Sequence, residues 1–194
     1  MNQQPTRMHI LESTIEAIEK YGPNGLTTRN IAEEAGVNNA ALHYYFGTKE
    51  KLLEEALAYT LEHWMKDTGA ILISDLPVEE RVRAIFAYML DGVQRYPNLI
   101  RAHLQGPLME GNPNSGFVHM LETWMNESFL ELAGDIPLNR WDGIRYALHA
   151  AISSILFAGL LPTRTEGEIT IDLQDEKKRL EYIDCLVRSV VPTE

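Results

Sequence analysis

Between Thr27 and Lys49 the sequence collects side chains suited to hydrogen bonding with an anionic polymer. Asn39, Ala40, Ala41, His43 and Tyr44 fall within six positions of one another, and all are small, polar or aromatic. Asn and His hydrogen-bond base edges, and Ala contacts a thymine methyl. Thr28, Tyr45 and Lys49 suit phosphate oxygens, and Arg29 suits phosphate or base. Thr27, Asn38 and Thr48 are N-cap types, so each predicts a helix start whose backbone N–H groups point at an anion. Of Tyr44 and Tyr45, at least one is expected on the outward face.

Such groups act only if helices hold them. Thr28–Ala35 reads as a short helix capped by Thr27, and Gly36 ends it. Asn38 caps a third helix over 39–46, with Leu42 and Phe46 one turn apart on its inward side. Gly47 stops it, and Val37 plugs the turn. A first helix over 6–21 places Ile10, Leu11, Ile15, Ile18 and Tyr21 on one face, and Gly22-Pro23 stops it. A long fourth helix follows over 49–73. Helices are expected over 78–96, 98–104, 117–132, 139–161 and 175–190, nine in all. The Gly/Pro/Asn-rich segment 106–116 reads as a loop, 134–137 as a turn and 162–168 as a loop. Ile169–Leu173 alternates like a strand, lacks a partner and is read as loop. The fold class is all-α, with an N-terminal three-helix unit over 1–48 and a helical body over 49–194.

Composition bounds the alternatives. The 194 residues carry a net charge of −11. Residues 1–52 hold five Lys and Arg against six Glu, so the acidity lies mainly further on. That permits binding to nucleic acid through a local face and repels it elsewhere. A single cysteine, Cys185, excludes an internal disulfide and a four-cysteine zinc site. No apolar run reaches the ~20 residues of a membrane span, and Ala147–Leu161 reads as a buried helix. No membrane partner and a cytoplasmic location are the expectations, with no cofactor and no metal site. Motifs of metalloproteases, nucleophile elbows, phosphate loops and dinucleotide folds are missing. His119 and Glu122, one turn apart, are a weak metal pair and the sole support for an enzyme.

A larger pattern joins these pieces. Ile10 to Tyr21, Gly22-x-x-Gly25-Leu26-Thr27, Ile31-Ala32-x-x-Ala35-Gly36-Val37 and Leu42-x-Tyr44-Tyr45-Phe46-x-x-Lys49-x-x-Leu52-Leu53 together resemble the tetracycline-repressor-like (TetR) family of transcriptional regulators. The likeness covers about 45 residues; the rest matches in helical style and length. Two departures are His43, where the family usually has Tyr, and the run Asn39-Ala40-Ala41, where Ser, Gly or Thr are commoner.

The resemblance implies a homodimeric DNA-binding repressor on a pseudo-palindromic operator, released by a small, largely apolar ligand. It implies a pocket in the body, where Trp64, Phe86, Met89, His103, Leu104 and Met109 are candidates. Phe117, Met120, Trp124, His149 and Phe157 complete that set. Met and aromatic side chains adapt to varied apolar ligands, although Trp64 and Phe86 also suit plain core. The last two helices are implied as the dimer interface, through Ala147, Ala151, Ser154 and Ala158 of the eighth and Leu180, Ile183, Leu186 and Val187 of the ninth. A helical protein-interaction adaptor without DNA binding is the competing class, favoured by the acidic balance alone.

Overall fold

A computed structural model describes residues 3–134, 141–161 and 172–191. Among these, nine α-helices form and no strand does. They are α1 (Gln3–Gly25), α2 (Thr28–Glu34), α3 (Asn39–Phe46), α4 (Lys49–Leu72), α5 (Val78–Arg95), α6 (Pro97–Leu104), α7 (Gly116–Ala133), α8 (Trp141–Leu160) and α9 (Glu176–Val190). The expected turn at 135–137, the loop at 162–168 and the strand-like Ile169–Ile171 lie outside the described residues.

The helix punctuation follows the side chains. Thr27 and Asn30 form a reciprocal box: the Asn30 N–H reaches Thr27 Oγ1 at 3.2 Å, and the Thr27 N–H reaches Asn30 Oδ1 at 3.0 Å. Asn38 Oδ1 accepts from the Ala41 N–H at 2.9 Å, and Thr48 Oγ1 from the Lys51 N–H at 3.2 Å. Gly36 and Gly47 follow α2 and α3 with φ of 62° and 76°, which favours glycine. Gly22, with φ 70° and ψ 161°, kinks α1, and a short helical turn then runs on through Pro23 to Gly25.

One expectation is corrected at 106–116. Gln105–Met109 forms a π-helical turn directly after α6, and the irregular segment starts only at Glu110. Pro107 has no N–H for the carbonyl four residues back, and a wider i→i+5 ladder remains available to such a chain.

Packing divides the chain into two compact units. The first comprises Met1–Trp64 and Tyr96–Met120, the second Met65–Arg95 and Leu121–Glu194. In the first, Ile10, Ile18, Leu26, Ile31, Leu42, Phe46, Leu52 and Ala56 share a core that also takes Leu99 of α6. Helix α6 thus packs with the N-terminal helices, a grouping wider than the sequence boundary at 48. In the second, Val82, Ile85, Phe86, Met89, Leu90 and Val93 of α5 are buried, as are Ile144, Leu148, Ala151, Ile152 and Ile155 of α8 and Ile183, Val187 and Val190 of α9. Helices α5, α8 and α9 pack on one another. Gly159 lets α5 approach α8: a Cβ there would stand 2.4 Å from Val93 Cγ1. Arg81, buried, donates from Nη1 to the Leu72 carbonyl at 2.8 Å and closes the end of α4.

Helix α8 departs from the buried helix expected over 147–161. It has an 18-residue window of mean hydropathy 1.3, long and apolar enough to cross a membrane by length and composition, yet 28% of that window is buried. One face packs on α5 and α9. The opposite face leaves Tyr146 72% exposed and Phe157 64% exposed, with Ala150 and Ser153 between them.

Candidate nucleic-acid interface

Helix α3 is anchored from within. Leu42 and Phe46 are buried at 5% and 4% exposure, which fixes the rotation of the helix about its axis. The other face then turns outward: Asn39, Ala40, His43 and Tyr44 are exposed, and Ala41 is half-buried. Tyr44 is 68% exposed, and its ring meets that of Tyr45 edge-on at 5.0 Å. Tyr45 is half-buried against the core, so the two tyrosines divide into an outward and a packing residue.

The ends of three helices meet beside this face. Thr28, Asn39, Leu42, His43, Gly47, Thr48, Lys49 and Leu52 line a groove of about 240 Å³. Five of the side chains singled out from sequence, Thr28, Asn39, His43, Thr48 and Lys49, are therefore gathered around one concavity. The capping residues Thr27, Asn38 and Thr48 are exposed with their oxygens turned to their own helix starts. An oxygen so committed leaves the free N–H groups of the first turn for an incoming anion.

Four cations of this unit, Arg7, Lys20, Arg29 and Lys49, are engaged internally. Arg29 Nε donates to Glu33 Oε1 at 3.0 Å across one helical turn. Lys49 Nζ donates to the Leu26 carbonyl. Lys20 Nζ reaches Glu34 Oε2 at 2.7 Å, a hydrogen bond that raises the lysine above its ordinary range and ties α1 to α2. Arg7 pairs with Glu55 and lies over the Phe46 ring, 4.7 Å from its centroid, joining α1 to α3 and α4. His9 Nε2 donates to the Ala35 carbonyl at 3.1 Å and closes the end of α2. Sequence reasoning passed over Arg7 and His9, since no local spacing marks a contact between residues 26 or 48 positions apart.

The expected pocket residues fall in both units and differ in burial. In the first, His103 and Met120 are buried, Trp64, Leu104 and Phe117 half-buried, and Met109 is 81% exposed. His103 Nε2 lies 2.9 Å from Thr60 Oγ1, and the Thr60 hydroxyl donates to the Leu57 carbonyl at 2.8 Å. The hydroxyl proton being spent, Nε2 carries the imidazole proton and donates. Burial pushes the pKa of His103 down to about 4, so the ring is neutral. Its face lies 5.6 Å from the Phe117 ring. In the second unit Phe86, Met89 and Trp124 are buried, while His149 and Phe157 are exposed. Among the described residues no group of three His, Cys, Asp or Glu is placed to hold a metal ion, His119 and Glu122 included.

The residues named for the dimer contact separate in the same way. Ala151, Ile183 and Val187 are consumed by the core of their own unit. Ala147, Ala158 and Leu186 are half-buried, and Leu180 is 52% exposed. Ser154 Oγ and the Tyr182 hydroxyl lie 2.7 Å apart, joining α8 to α9.

Comparison with known proteins bears on this geometry. Residues 10–56 match the family model described as bacterial regulatory proteins, tetR family. Over 98 residues the chain is 32% identical to an HTH-type transcriptional regulator, BetI, of Agrobacterium fabrum (strain C58 / ATCC 33970), covering 50% of this chain and 48% of that one. The chain thus spans about half the length of the curated relatives it matches. A TetR-family transcriptional regulator from Mesorhizobium loti MAFF303099 superposes with a TM-score of 0.67 at 15% identity, over 98% of this chain and 97% of that one. AibR, solved in complex with isovaleryl coenzyme A and operator DNA, superposes with a TM-score of 0.62 at 16% identity, over 97% and 100%. The two structures share the fold. The family match falls on the helices that carry the caps, the buried Leu42 and Phe46 and the outward face of α3, so residues 10–56 carry the pattern of the tetR family of bacterial regulatory proteins.

Proposed function

We propose that this protein is a transcriptional repressor that binds a pseudo-palindromic operator as a homodimer and is released by a small, largely apolar molecule. The observation that carries the reading is the face of α3. Asn39, Ala40, His43 and Tyr44 project from a helix locked by Leu42 and Phe46, beside a groove ringed by Thr28, Thr48 and Lys49. Helix α3 enters the major groove, Asn39 and His43 read base edges, Ala40 and Ala41 meet thymine methyls, and Tyr44 extends the contact. Thr27, Thr28, Asn38, Thr48 and Lys49 hold phosphates, Tyr45 supports Tyr44 from the core side, and Arg29 holds a phosphate once it leaves Glu33.

The dimer forms through α8 and α9. Tyr146, Ala150, Ser153 and Phe157 recur at helical spacing on the outer face of α8, Leu161 follows just past its end, and Leu180 adds to it from α9. A two-fold axis would cover this stripe with its own copy. The ligand belongs in the helical body, where Met and aromatic side chains supply adaptable apolar walls. It acts by preferring a conformation in which the two recognition helices no longer stand one DNA turn apart.

Selection of bound sequences from a random DNA pool tests the reading. A repressor of this type enriches a two-fold related sequence, and its affinity falls steeply as salt rises because phosphate contacts release counterions. Failure to enrich any sequence, or affinity indifferent to salt, would leave the helical adaptor in its place.

A further inference from the structure

Helix α6 begins without a cap of its own. Its N-cap position is Tyr96, whose side chain makes no capping bond, and its first residue, Pro97, has no N–H. The next two N–H groups, of Asn98 and Leu99, both point at Glu19 Oε2 of α1, each at 3.0 Å. A carboxylate from another helix thus supplies the cap, and it meets the positive end of the α6 dipole.

The bond is returned. In a continuous α1, the Glu19 carbonyl would accept from the N–H four residues on, but that residue is Pro23, which has none. Asn98 Nδ2 donates to this carbonyl instead, at 2.8 Å. Asn98 Oδ1 accepts from Arg101 Nη1 at 2.9 Å, which fixes the orientation of the amide. Gly22, just after, turns the chain at φ 70°, a conformation that favours glycine, and packs in ordinary contact range of the Asn98 amide. Each helix end therefore satisfies groups that the other end leaves open. At the far end of α6, His103 is bonded to Thr60 of α4. Helix α6 is a strut between α1, at the back of the DNA-reading helices, and α4, which follows them.

We infer that Glu19 and Asn98 are positioning residues for DNA binding: their reciprocal clasp holds α1, and with it α2 and α3, in the orientation that engages DNA. Neither side chain touches DNA; both act through α1. The inference rests on the proposed DNA-binding function.

The test uses the full-length chain and the operator fragment that it selects. Parent, Glu19→Ala, Asn98→Ala, the double variant and Glu19→Gln are compared below their melting temperatures, with helicity checked by circular dichroism. Each alanine variant is expected to weaken operator binding about tenfold, and the double variant no more than the weaker single, because one joint is broken twice. Glu19→Gln keeps an acceptor oxygen and is expected to stay close to the parent. Unchanged affinity with lowered melting temperature would make the clasp a stability device and overturn the inference, and so would fully additive losses. A parent that selects no DNA is a separate result, visible without any variant, and it removes the function on which the inference rests.

Discussion

At the scale of single residues, engagement within the fold decides what each candidate can do. Arg29 is held by Glu33, an exposed pair of small net worth, so DNA competes with it cheaply. Glu33→Ala should therefore raise operator affinity several-fold in gel shifts, by freeing Arg29 and removing a negative charge near the phosphates. Lys49 differs: its ammonium rests on the Leu26 carbonyl, so its long side chain is already ordered before DNA arrives. That spares roughly 0.5–1.5 kcal/mol of ordering cost on binding. Tyr44→Ala should weaken operator binding and leave the melting temperature in place, because its ring is exposed. Leu42→Ala should cost about 2–5 kcal/mol of stability as a core truncation. Equal effects of the two on melting would contradict the division of α3 into reading and packing faces. His103 gives a pH signature. Its folded pKa of about 4 lies below the ordinary histidine value of 6.5, so the unfolded chain binds the extra proton first. The stability this contributes is complete above pH 6.5 and is lost as pH falls towards 4. His103→Gln should flatten the fall of melting temperature across that window relative to the parent.

At the scale of elements, close approach matters more than composition. Gly159 permits the α5–α8 contact, and Gly159→Ala would drive a Cβ into Val93. Thermal melting should show a loss of roughly 1–3 kcal/mol from overpacking, against the small gain that Ala usually brings inside a helix. The bounds of α2, α3 and α4 were legible because their caps are local: Thr27, Asn38 and Thr48 each act within three residues. The inward stripe of α3 was legible because Leu42 and Phe46 are one turn apart. Other features depend on distant partners. The cap of α6 comes from residue 19, the cap of α2's last carbonyl from His9, and the neighbour that needs Gly159 to be small is this chain's own α5. No window of sequence contains both halves of such a pair. The π-helical turn at Gln105–Met109 was hidden for a different reason, since Gly106 and Pro107 are loop signals that here widen a helix. The Glu19 clasp had a local trace, a helix carbonyl four residues before a proline, but nothing pointed to Asn98 as its donor.

At the scale of the molecule, the expected dimer rests on the outer stripe of α8 and α9. Phe157→Glu or Leu180→Glu would place a charge against its own symmetry mate, and sedimentation should show the shift from dimer to monomer, with operator affinity lost alongside. The same stripe has a thermodynamic consequence. In the proposed dimer, α8, whose apolar 18-residue window is 28% buried, would have part of its stabilising surface completed by a second copy. Stability of such a dimer would obey mass action: the melting temperature should rise with protein concentration in thermal melts, and dilution should favour unfolding as well as dissociation. For the proposed dimer, the number of copies present would thus set the stability of each copy.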